Sequence, residues 1–307
     1  MRRLLYVLGA ILLLLPIAAA LIGTQLGPAI LHPANLNPDR REQADQMLAR
    51  TAAAKQDFDV RAADGAVLRG WKIYPPHPNG DWVLLFHGVS DNRTGNLGHA
   101  EFLLHHGYRL VMMDSRAHGQ SGGTIATYGW LERHDTQAIV NSLYATESVR
   151  HLYALGVSMG AAIALQSAAI EPRIAAVAAE DPFASLREIT YDYAGLELSP
   201  LLGQTLFRPA TITAMNAAQK EAGFDVDEIS PEKAVAIRAF PVLLMCGTAD
   251  HRIPCRHAEA IYNAAIGRKE LWMVQGARHA SALGQAPLEY EKQVVDFFEK
   301  YPEGNAN

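Results

Sequence analysis

Residues 155–164 read LGVSMGAAIA and place one serine between two glycines, in the order G-x-S-x-G. An apolar run, LYALGV, leads into Ser158, and a helix-forming run, MGAAIALQSAAI, leads away from the valine and serine of that turn. A strand that turns abruptly into a helix lifts the side chain at the turn clear of the sheet, and such a turn needs small neighbours. The N-terminus of the following helix favours negative charge developing nearby. That setting suits a nucleophile; a simple glycine-flanked turn is the bland alternative. A serine hydroxyl attacks poorly until a base removes its proton, so an imidazole must reach Ser158 and an acid must orient the imidazole.

Twelve histidines are available. His279, in VQGARHASALG, lies between the last apolar strand-like run and the last helical one, where a loop can hang over the turn. Asp250, in CGTADHRIP, follows the apolar run PVLLMC and so stands at the carboxyl end of a strand. His251 competes with His279 by residue type, but beside the acid it reads as a surface residue. Asp114, Arg116 and His118 form a second polar cluster, read as bracing a loop. Glu132 and Asp135 read as charges suited to a helix N-terminus.

The elements that must position these residues alternate along the chain. FDVRAADGAVLRGWKIYP reads as two strands around an Asp64-Gly65 turn. WVLLF (82–86), RLVMM (109–113), LYALGV (152–157), IAAVAAE (174–180), PVLLMC (241–246) and ELWMV (270–274) are nearly continuous apolar strands. Helical stretches near 97–106, 134–147, 159–170, 256–266 and 286–300 separate them. This alternation predicts an α/β fold, a mostly parallel sheet with helices on both faces. Residues 183–239 are far longer than one crossover needs and predict a helical cap inserted over the sheet edge.

The first residues differ. Arg2 and Arg3 precede an uncharged run from residue 4 to residue 23, which spans roughly 30 Å as a helix, enough for a hydrocarbon core. A signal anchor or transmembrane helix over residues 1–30 is expected, with a signal peptide cleaved after Ala18-x-Ala20 as the competing reading. The two arginines stay on the cytoplasmic side, so the catalytic domain is expected outside the cytoplasm, on the periplasmic or extracellular side. A juxtamembrane helical segment (31–57) and a single hydrolytic domain (58–302, cap about 183–239) complete the expected organisation.

With 307 residues, 49% of them hydrophobic, the chain can bury one large core. Net charge is -5 and no Lys/Arg cluster interleaves with aromatics, so no nucleic-acid partner is expected. No H-E-x-x-H, phosphate loop or dinucleotide fingerprint occurs, and neither metal nor cofactor is expected. The two cysteines, Cys246 and Cys255, flank the loop that carries Asp250. A disulfide there, permitted outside the cytoplasm, and two small buried residues that never meet both fit the spacing.

Taken together, these motifs resemble an α/β-hydrolase over roughly residues 58–300, most closely the membrane-anchored or secreted bacterial members near the serine aminopeptidase and acyl-lipase branch. LLFHGVSDNR is similar to the family's His-Gly oxyanion loop. MMDSRAHGQSGG is similar to its Asp-x-Arg-Gly-x-Gly-x-Ser stretch, with Ala117 where glycine is usual. TYGWLERHD and ISPEKAVAIRAFPVLLMCGTADHRIP resemble the segments that lead to its helix start and its acid strand. The order Ser158, Asp250, His279 is the family's order. The resemblance implies an oxyanion hole from the backbone N–H groups of Val89 and Met159, with His87 bracing the loop. It also makes Asp181, just past IAAVAAE, a rival acid, since some relatives carry the acid there.

The expected activity is hydrolysis of carboxylic esters of small molecules through an acyl-enzyme. A peptidase or thioesterase with the same residues is the nearest rival; a non-catalytic binding protein and a membrane scaffold come from other classes. The Leu-rich stretch of the cap (Leu196, Leu198, Leu201, Leu202, Leu206, Phe207) is read as lining an acyl pocket or as packing on itself.

Overall fold

The computed structural model describes residues 6, 14, 18, 21–25, 27–34 and 38–302, apart from 196–199 and 206. Eight strands form one sheet: β1 (Ala54–Arg61), β2 (Val67–Tyr74), β3 (Trp82–Phe86), β4 (Arg109–Met113), β5 (Leu152–Val157), β6 (Ile174–Glu180), β7 (Val242–Gly247) and β8 (Lys269–Val274). Their order is β1-β2-β4-β3-β5-β6-β7-β8. The first two pairings, β1 with β2 and β2 with β4, are antiparallel; from β4 to β8 the sheet is parallel. The hairpin turns where the sequence places it. Gly65 takes φ +90 and the Asp64 carboxylate accepts the Ala66 N–H at 3.1 Å.

Every residue of β3, β5 and β7 is buried, because helices cover both faces of the parallel part. One core cluster joins Trp82, Leu84, Val111, Leu152 and Val177 to the helices Glu132–Thr146 and Met159–Ile170. The opposite cluster joins Leu85, Met112, Tyr153 and Leu243 to the helices Leu97–His105 and Pro287–Lys300. Helix Met159–Ile170 is buried from Met159 through Ala168, which explains why it has no polar face.

Three expectations concern the N-terminal segments and the cap. The chain's first strand begins at Ala54, and helix Arg41–Thr51 buries Ala44 and Met47 in the second core cluster while Arg50 grips Glu101 through two bonds of 2.6 and 2.8 Å. Helix Arg41–Thr51 is therefore packed against helix Leu97–His105 of the α/β unit. The stretch 183–239 holds helices Leu186–Ala194, Pro200–Gln204 and Arg208–Ala222 above the sheet edge, but helix Pro231–Ile237 returns to pack beside helix Met159–Ile170. The cap ends before it.

The third concerns the transmembrane helix expected over residues 1–30. Among the described residues no helix is long and apolar enough to cross a membrane, and most of residues 1–20 lie outside them. Residues 21–25 and 27–31 are helical and lie on the cap. A Cβ at Gly23 would meet the Ala210 carbonyl oxygen at 2.3 Å, and one at Gly27 would meet Ala217 at 2.6 Å, so the two helices touch through their backbones. Leu31 is fully buried in a third cluster with Phe183, Leu186, Ile189 and Met215.

Candidate active site

Ser158 follows β5 at the first turn of helix Met159–Ile170, with φ 58 and ψ -119. A non-glycine residue there is strained and persists only where its surroundings hold it. The surroundings are tight. A Cβ on Gly156 would meet the Gly160 carbonyl oxygen at 2.2 Å, and one on Gly160 would meet the Phe86 carbonyl oxygen at 2.2 Å. Both glycines are thus fixed by close backbone approach, and the Ser158 N–H donates to the Glu180 carbonyl at 2.8 Å.

His279 and Asp250 arrive from two other strand ends. His279 Nε2 lies 2.9 Å from Ser158 Oγ, and its Nδ1 lies 2.7 Å from Asp250 Oδ2. The other carboxylate oxygen of Asp250 accepts the N–H groups of Arg252 at 2.7 Å and Ile253 at 3.0 Å, which fixes its rotamer. With Asp250 as acceptor, the network assigns the imidazole proton to Nδ1 and leaves Nε2 to accept from the Ser158 hydroxyl. The rival His251 is exposed.

Val89 and Met159 both line the cavity that opens over Ser158, and among the described residues neither backbone N–H has a protein acceptor. His87 holds the loop that carries Val89: its Nδ1–H donates to the Gly88 carbonyl at 2.8 Å, and its Nε2 accepts the Ser115 N–H at 2.9 Å. Burial, followed by the neighbouring His118, pushes the His87 pKa down to about 4, so the ring stays neutral and can keep both bonds.

The second polar cluster is structural. Asp114 accepts the N–H groups of Arg93 and Gln120 at 2.8 Å each, and Arg116 forks onto Asp135 at 2.7 Å twice. Glu132 accepts Thr127 and Gly129 N–H groups at 2.7 and 2.8 Å, tying the loop before its helix. Ala117 adopts φ 56, the left-handed conformation that makes glycine the usual residue at such a position.

A disulfide joins Cys246, at the end of β7, to Cys255, with Cα atoms 5.4 Å apart. It closes the loop that carries Asp250. Of the Leu-rich cap stretch, Leu196, Leu198 and Leu206 lie outside the described residues, while Phe207 lines the cavity.

Sequence reasoning missed how the His279 loop is held. Asp181 Oδ2 accepts the Ala280 N–H at 2.8 Å while its Oδ1 accepts the Gly247 N–H at 3.0 Å, bridging the histidine loop to the end of β7. Glu180 Oε1 accepts the Ala282 N–H at 3.0 Å, and its Oε2 takes the Tyr290 hydroxyl at 2.9 Å and faces His99 at 3.3 Å. Burial, then the charges of Glu180 and Asp250, push the Asp181 carboxyl up to about 7. Burial also works on Glu180, but His99, the Ala282 N–H and Tyr290 outweigh it and hold that carboxyl below its ordinary range. The signal was present in the sequence: two consecutive carboxylates end an apolar strand that offers them no solvent. Asp181, Asp250 and His279 each bring one possible ligand atom within 4.8 Å of the others, and the hydrogen bonds just described account for the grouping.

Comparison with known proteins fits this geometry. The profile of the α/β hydrolase fold matches residues 81–204, the stretch with the Val89 loop and the Ser158 turn. The chain is 28% identical over 253 residues to the uncharacterized protein YqkD of Bacillus subtilis (80% of this chain, 79% of that one). It is likewise 28% identical over 253 residues to the uncharacterized protein YfhR of Escherichia coli (79% and 80%). Among solved structures it is similar to the Pyrococcus furiosus esterase Pf2001, with TM-score 0.69 and 23% identity over 83% of this chain and 94% of that one. Acetyl xylan esterase 1 from Thermoanaerobacterium is similar in fold as well, with TM-score 0.57 and 19% identity over 86% and 96%. By its sheet order, its strained serine turn and the profile matched over residues 81–204, the chain has the α/β-hydrolase fold.

Proposed function

We propose that the protein is a serine hydrolase of carboxylic esters and that Ser158, His279 and Asp250 act as its catalytic triad. The observation that carries this reading is His279 bonded on one side to Ser158 Oγ and on the other to Asp250. Ser158 Oγ attacks the ester carbonyl while Nε2 takes its proton; the resulting imidazolium passes that proton to the departing alkoxide. Asp250 offsets the transient positive charge and keeps Nδ1 protonated. Water then attacks the acyl carbon while Nε2 takes its proton, and the imidazolium returns that proton to Ser158 Oγ as the acid leaves. The Val89 and Met159 N–H groups donate to the tetrahedral oxyanion in both halves, and losing one such donor costs about 100- to 1000-fold in rate. Esterases stand among the structural neighbours, which accords with ester chemistry.

We further place the domain outside the cytoplasm. A disulfide suited to an oxidising compartment supports this. A fluorophosphonate probe should label wild-type protein and leave Ser158→Ala unlabelled, and p-nitrophenyl acetate turnover should vanish in both Ser158→Ala and His279→Ala. The double variant should be little worse than either single one, since the two residues work as a unit. Labelling that survives Ser158→Ala would end the proposal. Matched thioester and aminoacyl-amide substrates, turned over faster than the ester, would move the reaction to the rival classes.

A further inference from the structure

Over Ser158 lies a cavity of about 1110 Å³, somewhat larger than the roughly 300–1,000 Å³ of most small-molecule sites. Among the described residues no charged side chain lines it. Its polar side chains are hydroxyls, seven among the 24 lining residues, and one of them, Tyr128, already donates to the Ile30 carbonyl at 2.7 Å. A peptide or sugar brought into such a chamber would leave polar groups unmatched, at a cost that a hydrocarbon chain does not incur.

The walls come from three parts of the chain. The sheet edge and the loop after β3 supply the reactive end, with Val89, Ser158 and Met159. The cap supplies Ile189, Phe207 and Ala214. The third wall is the N-terminal helix, through Ala18, Ile22 and Ile30, seated on helix Arg208–Ala222 by the close approach at Gly23 and Gly27. Two glycines four apart let that helix lie close against the Ala210 carbonyl and the Ala217 methyl group.

We infer that this chamber is an acyl-chain site completed by the chain's own N-terminal helix, and that the substrates are esters of long-chain fatty acids. The inference rests on the ester-hydrolase reading of Ser158 and adds the acyl class to it. The carboxyl carbon of the ester sits between Ser158 Oγ and the Val89 and Met159 N–H groups, and the alkyl chain runs beneath Ala18, Ile22 and Ile30. Each methylene that leaves water on binding should raise kcat/KM by up to roughly fourfold until the chamber is full. The helix wall thus sets the chain length.

The test is a p-nitrophenyl ester series from C2 to C16 in mixed detergent micelles, on the full-length protein. Active enzyme is counted by fluorophosphonate titration, so that misfolded variants are not scored. Wild type should prefer C10–C16 over C2 by at least 100-fold in kcat/KM. Ala214→Phe, which fills the chamber from the cap, and Ile30→Trp, which fills it from the N-terminal helix, should each lower the C12-to-C2 ratio at least tenfold. Gly27→Leu, which lifts the helix from the cap, should flatten the series. A wild-type preference for C2, or a ratio unmoved in Ile30→Trp and Gly27→Leu alike, overturns the acyl-chain assignment and leaves the ester reading standing. No turnover of any ester by a protein that fails to label overturns both.

Discussion

The Asp181 carboxylate stands 3.9 Å from His279 Nδ1 and does not bond it, because both its oxygens face backbone N–H groups. Asp250 stands at 2.7 Å and accepts the hydrogen bond from Nδ1–H. Two carboxylates therefore divide the work on one imidazole: Asp250 holds its proton, and Asp181 holds the loop on which it rides. Asp250→Asn should lower kcat by about 1,000- to 10,000-fold, by favouring the wrong tautomer. Asp181→Asn should cost about tenfold, since one of its two N–H partners then meets an amide NH2. Steady-state kcat for the two variants decides; the reverse ranking would exchange their roles.

Asp181 also ties stability to pH. Its carboxyl titrates near 7 in the fold against about 3.9 in the unfolded chain, so the folded state holds the proton more tightly. The resulting stabilisation is complete below about pH 4 and is lost as pH rises through 7. Urea melts at pH 5 and pH 8 should show wild type losing stability relative to Asp181→Asn, by an amount on the order of a few kcal/mol. A difference independent of pH would contradict the raised carboxyl.

His87 behaves in the opposite sense. Its pKa of about 4 in the fold lies below the 6.5 of a free imidazole, so its stabilisation is present above pH 6.5 and is lost as pH falls through 4. His87→Gln should be less sensitive to acid than wild type in thermal melts between pH 7 and pH 4. It should also lose about 10- to 100-fold in kcat, because the loop that presents the Val89 N–H has lost its brace. Unchanged kcat would detach that loop from catalysis.

The Cys246–Cys255 bond closes a short loop around Asp250. Unfolded, unreduced protein should react with no thiol reagent, and Cys246→Ala/Cys255→Ala should be less stable by about 2–3 kcal/mol. The double variant should also show a lower kcat than wild type, as the acid loop loosens. Two titratable thiols before reduction would count against the bond.

The parallel strands could be read from the chain because β3, β5 and β7 are buried on both faces and must be apolar at every position, so each run is as long as its strand. The same holds for the serine turn. Gly156 and Gly160 have no room for a side chain, and that constraint is written in the residues next to Ser158. Asp250 and His279 were legible for a similar reason: each follows the end of a strand, where a loop side chain reaches the sheet's carboxyl edge.

What the sequence could not decide depends on segments far apart along the chain. Asp181 meets the Ala280 N–H across 99 residues, and no local pattern separates a carboxylate that orients a histidine from one that clamps its loop. Residues 21–31 look by composition like the end of a membrane span, since an apolar helix suits a cap and a bilayer equally well. Only the tertiary structure sets Gly23 and Gly27 against Ala210 and Ala217 and makes that helix a wall of the cavity over Ser158, because backbone contact is decided by the shape of the partner surface and hydrophobicity has no direction.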